Sequence, residues 1–213
     1  MRPSLGINGF AKLTSVSRET LDRLKDYVDL LMAWNRRINL VGRDTIGDVW
    51  RRHILDSAQL FSLIPAKART LVDLGSGAGL PGLVLAIMGT PEVHLIESDQ
   101  RKVIFLREAL RITNTRAILH PTRIDRVAPF AADVITARAL APLSELIELS
   151  QRFCGPRTIS LFLKGRKIEQ ELTDTVKMWN MRIDRQPSLT DASGCILRLE
   201  ALHDSGPGID HHL

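Results

Sequence analysis

The sequence contains little that would suit a secreted, membrane-spanning or disulfide-stabilised protein. Its 213 residues include two cysteines, Cys154 and Cys195, which are too few for a disulfide framework and favour a reducing compartment. No apolar run approaches the roughly 20 residues that span a bilayer, and no apolar segment typical of a signal peptide follows the first residues. We therefore expect a cytoplasmic protein without a membrane partner, and we interpret both cysteines as small apolar residues.

The composition also argues against a metal site and against a stacking surface for nucleic acid. None of the six histidines has metal-ligand spacing to cysteines or carboxylates, so no metal is expected. Aromatic residues make up only 5% of the chain, too few to indicate a platform for stacked bases. Lys and Arg total 29 against 24 Asp and Glu, which gives a net charge of +5. This modest excess is compatible with a polyanionic partner but does not require one.

The N-terminal third has the periodicity of helices. Between Ser17 and about Leu40, apolar residues recur in steps of three and four; they are Leu21, Leu24, Val28, Leu31, Trp34 and Ile38. A second helical pattern covers about residues 45–63, and Pro65 ends it. Residues 1–16 show no such pattern, and we expect them to be frayed. Residues 1–65 are thus predicted to form a helical N-terminal extension.

From Thr70 onward, short apolar runs alternate with helical stretches. Seven runs are predicted as strands, at 70–74, 93–97, 117–120, 133–136, 158–163, 179–184 and 195–199. Such alternation implies right-handed crossovers and a mainly parallel sheet covered on both faces. Only a loop separates the last two strands, which suits an antiparallel pair. We predict a doubly wound α/β domain with a seven-stranded sheet over residues 66–204, and a flexible tail over 205–213.

The first predicted strand runs into a glycine-rich turn, Asp73-Leu74-Gly75-Ser76-Gly77-Ala78-Gly79. Glycines let the backbone turn sharply and approach a ligand closely, and this turn lies at the sheet edge where ligands bind. Two interpretations compete. Residues 77–82 match the G-x-G-x-x-G fingerprint of dinucleotide enzymes, but such an enzyme would place its first glycine directly after the strand, where Gly75 stands. Asp73 followed by alternating Gly75, Gly77 and Gly79 better suits S-adenosylmethionine, which has an amino acid end and a ribose but no pyrophosphate.

Three further positions are candidates for contacts with the same cofactor. Glu97 ends the second predicted strand, where a carboxylate can accept hydrogen bonds from both ribose hydroxyls. The alternative for Glu97 is a charge at a helix N-terminus, a role that Asp99 can fill. After the third strand, Ile124 supplies an apolar wall and Asp125 an acceptor for the adenine amine. A helix start capped by Asp125 is an equally good interpretation of that loop.

Six segments together resemble one protein family, the bacterial 16S ribosomal RNA guanine-N7 methyltransferases, also called glucose-inhibited division protein B. They are residues 34–40, 52–57, 73–82, 98–106, 136–139 and 163–165, and the resemblance spans about residues 20–200. The ending Gly79-Leu80-Pro81-Gly82 of the glycine turn, combined with the upstream His53-Ile54-Leu55-Asp56-Ser57, makes it specific. A generic methyltransferase would share only the glycine turn.

The resemblance implies a class I S-adenosylmethionine-dependent methyltransferase with a Rossmann-like fold. It implies methylation at N7 of guanine 527, in the 530 loop of 16S rRNA, with free rRNA or the small ribosomal subunit as substrate and partner. We expect a monomer without an obligate protein partner, although the sequence itself does not determine the oligomeric state. By resemblance, the cofactor contacts are Gly75, Leu80, Ile124, Asp125 and Arg138. Asp125 stands where the family commonly has Glu, which keeps the acceptor but shortens its reach.

The chemistry at guanine N7 needs no general base, because this atom carries a lone pair and no proton. The enzyme has to place the two reactants in line, at about 3–3.5 Å. Accordingly, no Asn/Asp-Pro-Pro-Tyr-like motif follows the fourth strand, where Thr136-Ala137-Arg138-Ala139 stands instead. Arg138 is the polar residue best placed at the reaction edge. It can hold the cofactor carboxylate, bind RNA phosphate or pair with a neighbouring acid.

Basic residues outside the glycine turn are candidates for RNA contacts, which phosphates make sensitive to salt. They are Arg36, Arg37, Arg51, Arg52, His53 and Lys164. Most precede the glycine turn, so the N-terminal extension is expected to bind RNA and cover the cleft. Solvated or structural roles are open alternatives, since Asp56 can orient His53 and Lys164 can belong to a solvated cluster. An NAD-dependent oxidoreductase, a non-catalytic ribosome-binding factor and a methyltransferase for a small metabolite are the rival functions.

Overall fold

The computed structural model describes residues 4–204, with the backbone alone for 201–204, and it centres on a seven-stranded sheet. The strands are β1 (Thr70–Leu74), β2 (Glu92–Ile96), β3 (Ile118–His120), β4 (Val134–Arg138), β5 (Ile159–Lys164), β6 (Trp179–Pro187) and β7 (Cys195–Asp204). Their order is β3-β2-β1-β4-β5-β7-β6. The first five strands in this order are parallel to one another, and β7 runs antiparallel to both β5 and β6. The predicted sheet is confirmed; the predicted tail, 205–213, lies outside the described residues.

The N-terminal region begins with a helix that the sequence pattern did not indicate. Helix α1 (Ile7–Thr14) places Phe10 fully in the core, with its ring 5.3 Å from that of Trp50. The backbone N–H of Leu5 donates to Asp48 Oδ1 at 2.8 Å. The expectation that residues 1–16 are frayed is therefore wrong for this helix. Its stability comes from contacts with a distant segment, which local periodicity does not report.

Helix α2 (Arg18–Asn35) agrees with the predicted first helix but ends earlier. Ser17 caps its start, since the Ser17 hydroxyl accepts from the Thr20 backbone N–H at 3.1 Å. Asn35 ends it, because its Oδ1 accepts from the backbone N–H groups of Leu40 and Val41, both at 2.9 Å. The chain therefore turns over residues 36–41 instead of continuing the helix to Leu40.

The second predicted helix, over 45–63, is not one regular helix. It consists of a 3₁₀ turn at Ile46–Asp48, a π-helical stretch at Trp50–Leu55, the α-helical turn α3 (Asp56–Ala58) and a 3₁₀ turn at Phe61–Leu63. π-Helical turns are wider and occur often at functional sites. Here the widened stretch includes the Arg52 carbonyl, which accepts a hydrogen bond from the Arg138 side chain at 3.2 Å.

Helices cover both faces of the sheet. Strand β1 alternates, so that Leu71 belongs to one hydrophobic core and Val72 and Leu74 to the other. Helices α4 (Gly82–Ile87) and α5 (Gln100–Ile112) share the first core with α1 and α2, and helices α6 (Leu143–Ser150) and α7 (Ile168–Thr175) contribute to the second. The N-terminal helices are thus part of the packing of the sheet. Within residues 4–204, no helix is long and apolar enough to cross a bilayer.

Candidate active site

The glycine turn has a backbone that only glycine adopts without strain. Gly75, Gly77 and Gly79 have φ values of +62°, +57° and +89°, in the left-handed region that disfavours other residues. Space is restricted as well: a Cβ on Gly75 would lie 2.5 Å from Leu140 Cδ1, and one on Gly79 would lie 2.7 Å from Leu83 Cβ. The backbone conformation therefore favours glycine at all three positions, and lack of space adds to this at Gly75, beside the loop after β4, and at Gly79, beside α4.

Glu97 connects the glycine turn to the loop after β2. Its Oε2 accepts from the Gly77 backbone N–H at 2.8 Å, and its Oε1 accepts from the Asp99 backbone N–H at 2.7 Å. Each carboxylate oxygen keeps a further lone pair, so two hydroxyl donors can still be accepted. Asp99 caps α5 by accepting from the Arg101 and Lys102 backbone N–H groups, which is the role that the sequence offered as the alternative for Glu97.

Tyr27, on α2, holds the glycine turn from the other side and was not among the predicted site residues. Its hydroxyl donates to the Ala78 carbonyl at 2.7 Å, and its side chain is fully buried. Burial raises the pKa of the Tyr27 phenol, so the group stays protonated and donates. The sequence did carry a signal, because Tyr27 lies three residues after Leu24 and four before Leu31, on the apolar face of the helix.

Asp73 lies beneath the glycine turn. Its Oδ1 accepts from the Thr136 hydroxyl at 2.7 Å, while its Oδ2 has no hydrogen-bond partner within the described part of the chain. Burial raises the pKa of the Asp73 carboxyl to about 6, and the Thr136 hydrogen bond opposes this rise. A Cβ on Gly82 would lie 2.7 Å from Asp73 Oδ2, so the carboxylate faces the start of α4. Its assignment to the cofactor stays a prediction.

The predicted adenine contacts lie on a short 3₁₀ turn, Ile124–Arg126, after β3. The Glu97 backbone N–H donates to the His120 carbonyl at 3.1 Å, which ties the end of β3 to the ribose candidate. Ile124 is half-buried against the second core. Asp125 is exposed and accepts from Arg123 Nε at 3.2 Å, and the cap position belongs to Arg123. The capping alternative for Asp125 is therefore wrong. Leu80, also carried over by resemblance, is buried in the first core.

A cleft of about 590 Å³ lies at the carboxyl ends of β4 and β5. The N-terminal region contributes Arg52, His53 and Asp56 to its wall, and the strands contribute Arg138 and Lys164. The loop between β6 and β7 closes another side with Ser188, Thr190 and Asp191. The fold thus brings together four of the predicted site residues that lie far apart in the sequence.

Arg138 is the centre of the polar network in this cleft. Its Nη1 donates to the Arg52 carbonyl and lies 3.1 Å from His53 Nδ1 and 3.4 Å from Asp56 Oδ2. Asp56 Oδ1 also accepts from Gln59 Nε2 and from the Thr190 hydroxyl. Of the three roles that the sequence left open for Arg138, the structure shows the pairing with a neighbouring acid. Contact with cofactor or RNA stays a prediction.

His53 is neutral in this environment. Burial, together with the positive charge of Arg138, lowers its pKa to about 3. Because the Arg138 guanidinium can only donate, His53 Nδ1 accepts, and Nε2 carries the proton toward Thr45 Oγ1 at 2.9 Å. Both ring nitrogens are therefore engaged: Nδ1 joins the N-terminal segment to Arg138 of β4, and Nε2 joins His53 to Thr45 within that segment.

The six RNA-binding candidates separate into engaged and exposed groups. Lys164 Nζ lies 2.6 Å from Glu171 Oε2 and donates to the Ala141 carbonyl, with 9% of its side chain exposed. Arg51 pairs with Asp48, and Arg52 pairs with Asp191, each at 3.1 Å. Arg36 and Arg37 are exposed. RNA binding by these residues stays a prediction, but the structure favours Arg36 and Arg37 as available cations. Among the described side chains, those of residues 4–200, no three His, Cys, Asp or Glu are grouped so as to hold a metal.

Comparisons with known proteins bear on the family and the fold. The family model of GidB, described as rRNA small subunit methyltransferase G, matches residues 20–194. The ribosomal RNA small subunit methyltransferase G of Paramagnetospirillum magneticum is 58% identical over 186 residues, covering 87% of this chain and 91% of the relative. That of Rhodospirillum centenum is 54% identical over 204 residues, covering 96% and 94%. Among solved structures, a SAM dependent methyltransferase from Aquifex aeolicus has a TM-score of 0.56 at 15% identity over 73% of this chain and 94% of that chain, which supports the fold alone.

Proposed function

The chain belongs to the GidB family of rRNA small subunit methyltransferases, and from that premise we propose that it methylates N7 of guanine 527 in the 530 loop of 16S rRNA. The methyl donor in this proposal is S-adenosylmethionine. Family membership argues against the rival dinucleotide interpretation of residues 77–82, because the glycine turn then serves a methyl donor.

The glycine turn and Glu97 fit this cofactor. S-adenosylmethionine supplies an electrophilic methyl group on a sulfonium, flanked by a ribose and an amino acid end. We assign the ribose hydroxyls to Glu97, whose carboxylate oxygens each retain acceptor capacity beside the Gly77 backbone. The backbone of Gly77 suits the amino acid end, since the nearest atom to its Cβ position is the Gly75 carbonyl oxygen at 3.8 Å, whereas Leu140 covers that side of Gly75.

The observation that carries the choice of N7 is the character of the groups lining the cleft. Arg138 is cationic and cannot accept a proton, and the His53 imidazole is neutral with both nitrogens engaged. The Cys195 thiol also lines the cleft, and burial raises its pKa, so it is a poor thiolate nucleophile. The carboxylates that line the cleft, Asp56, Glu171 and Asp191, are each paired with a cation. These groups suit a nucleophile that needs neither deprotonation nor covalent activation. Guanine N7, an acceptor with a free lone pair, meets that condition.

The cleft also has a suitable size and position. Its volume of about 590 Å³ lies within the range of small-ligand pockets, about 300–1,000 Å³, and can receive a base turned out of its stack. Leu140, in the loop after β4, lies against Gly75 of the glycine turn, and Arg138 and Ala139 just before it line the cleft, so the cleft and the cofactor turn are neighbours. In-line approach then depends on how the β4 loop aligns the two.

The test is to incubate the protein with labelled S-adenosylmethionine and small ribosomal subunits that lack the modification, and to locate the label. We expect 7-methylguanine at position 527, detected by chain cleavage after borohydride and aniline treatment. Gly75→Val should abolish labelling, because it adds a branched side chain at positive φ against Leu140. The matched control is Gly47→Val, at a glycine with open space around its Cβ position. Label in an exocyclic amine, in a pyrimidine or in tRNA would refute the assignment.

A further inference from the structure

A second concave surface, which we call the basic hollow, lies where the end of α2 meets the start of α5. Its volume is about 260 Å³, and its cations are Arg36, Arg37, Arg43, Arg101 and Lys102. Asp99 is the acid that lines it. The Asp99 carboxylate already accepts from the Arg101 side chain and from the backbone N–H groups of α5. One carboxylate therefore faces five cations, and the hollow has a strong positive charge.

The basic hollow and the active-site cleft both border the 39–43 segment. Asn39 and Arg43 line the hollow and a shallow groove over residues 39–43. Leu40, Val41 and Gly42 line that groove and the cleft. Asn35 fixes this segment by accepting from the Leu40 and Val41 backbone N–H groups. Hollow, groove and cleft are therefore neighbours along one short segment of the chain.

The cations of the hollow differ in exposure from the two cations that end β4 and β5 in the cleft. Arg36, Arg37, Arg43 and Arg101 are exposed, as are Arg166 and Lys167, which also line the cleft, whereas Arg138 and Lys164 pair with Asp56 and Glu171. Arg101 and Lys102 also lie in the first turn of α5, where positive charge opposes the helix dipole. Local helix stability does not explain this placement, but an anionic ligand would.

We propose that the basic hollow binds phosphates of the RNA strand next to the target nucleotide, and that this strand runs along the 39–43 groove into the cleft. The inference rests on the proposed function, which supplies the RNA. Phosphate contacts fix the position and direction of a strand without reading its sequence, so the hollow would set which nucleotide reaches the cleft. The proposal changes the set of RNA-binding candidates outside the cleft. Arg51 and Arg52 leave the set, because they pair with Asp48 and Asp191. Arg43, Arg101 and Lys102 join Arg36 and Arg37 in it.

A triple variant, Arg37→Ala/Arg43→Ala/Arg101→Ala, tests the proposal, since it removes one cation from each of three chain segments. Its matched control is Arg107→Ala/Arg111→Ala/Arg116→Ala, which removes three exposed arginines from a groove beside the first residues of β2 and β3. Each variant loses one ion pair, Arg101 with Asp99 or Arg111 with Glu108. Binding of a labelled 530-loop RNA fragment and of small subunits is measured at several salt concentrations, with cofactor affinity from calorimetry.

The hollow variant should bind the RNA at least about tenfold more weakly at low salt. The salt slope is the steepness with which the logarithm of the RNA binding constant falls against the logarithm of the salt concentration. It should fall by about two, because each of three lost single-strand phosphate contacts contributes about 0.7. The KM for RNA in methylation should rise, while calorimetry shows cofactor affinity equal to wild type. Replacing the same three arginines with lysine should restore most of the slope, as point charges suffice for phosphate. The control variant should match wild type in all of these measurements.

Equal RNA affinity and equal salt slopes for the hollow variant and the control would overturn the proposal and leave the five cations as solvated charges. A hollow variant that also loses cofactor affinity would overturn it too, since the hollow would then act through the cofactor site. Failure of the proposed function looks different. In that case the wild-type protein leaves the RNA unmethylated, whatever its salt slope.

Discussion

Replacing Tyr27 with phenylalanine tests whether the N-terminal helix α2 holds the cofactor turn in place. The substitution keeps the ring and its contact with Phe105, at 6.3 Å between ring centroids. It removes only the hydroxyl that donates to the Ala78 carbonyl at 2.7 Å. Both the tyrosine side chain and Ala78 are buried, so water does not readily replace the lost donor.

The expected cost follows from this burial. Leaving a buried acceptor without its donor costs about 1–3 kcal/mol. One kcal/mol lowers the melting temperature of a chain of this size by about 2–4 °C, so a cost of about 2 kcal/mol corresponds to roughly 4–8 °C. Cofactor affinity should fall as well, because binding must then order a looser turn. If ordering the glycine turn takes about 1.4 kcal/mol from the binding free energy, the cofactor should bind about tenfold more weakly.

The assay compares thermal unfolding with calorimetry of S-adenosylmethionine binding. The control is Thr113→Val, which removes a buried hydroxyl that donates to the Ala109 carbonyl at 2.7 Å near the end of α5, away from the glycine turn. It should lower stability without changing cofactor affinity. If Tyr27→Phe likewise lowers stability and leaves cofactor affinity unchanged, then α2 supports the core but not the cofactor turn, and the reasoning fails.

Three further predictions concern the ionisable side chains of the site. Glu97→Gln should weaken cofactor binding about tenfold or more by calorimetry, since a charged acceptor of ribose hydroxyls is lost; an effect no larger than that of Glu92→Gln would contradict the ribose assignment. The pKa of His53 is lowered to about 3, so the unfolded chain takes the proton first, and stability should fall as pH drops below about 6.5. For His53→Asn, the free energy of unfolding measured in urea should not fall in this way as the pH drops. The same pH dependence in the variant and the wild type would count against a buried neutral imidazole. The pKa of Asp73 is raised to about 6, so its contribution to stability is present below its unfolded pKa of about 3.9 and lost as pH rises through 6. Asp73→Asn should therefore be relatively more stable than wild type at pH 7 than at pH 4, and no such pH dependence would show that Asp73 is not a destabilising buried charge.

The sheet and the glycine turn could be predicted because their causes are local. Each strand is a short apolar run. Strand β1 is buried on both faces, so its successive residues from Leu71 to Leu74 are apolar except Asp73. Gly75, Gly77 and Gly79 are needed wherever the backbone takes positive φ three times within five residues. A sequence pattern shows both features directly, and the observed bounds of β1 equal the predicted ones.

The N-terminal region was predicted less well because its structure depends on contacts that are distant in the sequence. Helix α1 is anchored by Phe10 against Trp50, forty residues later. The π-helical stretch contains the Arg52 carbonyl that accepts from Arg138, 86 residues away. Neither contact leaves a periodic signal in its own segment. Tyr27 is intermediate: its position on the apolar face predicts burial, but its bond to Ala78 depends on how α2 packs against the sheet.

The same distinction decides what the basic residues do. The sequence shows 29 Lys and Arg, and it gives no reason to separate Arg52 from Arg37. In the fold, Arg52 meets Asp191, 139 residues away, and Arg138 meets Asp56, 82 residues away. These pairs use Arg138 and Arg52 to hold the N-terminal segment against β4 and against the loop between β6 and β7. Under the proposed function, an uncompensated positive charge there would oppose the charge that a guanine gains on methylation at N7. The exposed cations lie in the basic hollow and at Arg166 and Lys167 of the cleft, where the same proposal places phosphate charge. Attraction for RNA and stabilisation of the methylated base make opposite demands on positive charge, and in this proposal exposed and paired cations meet them separately.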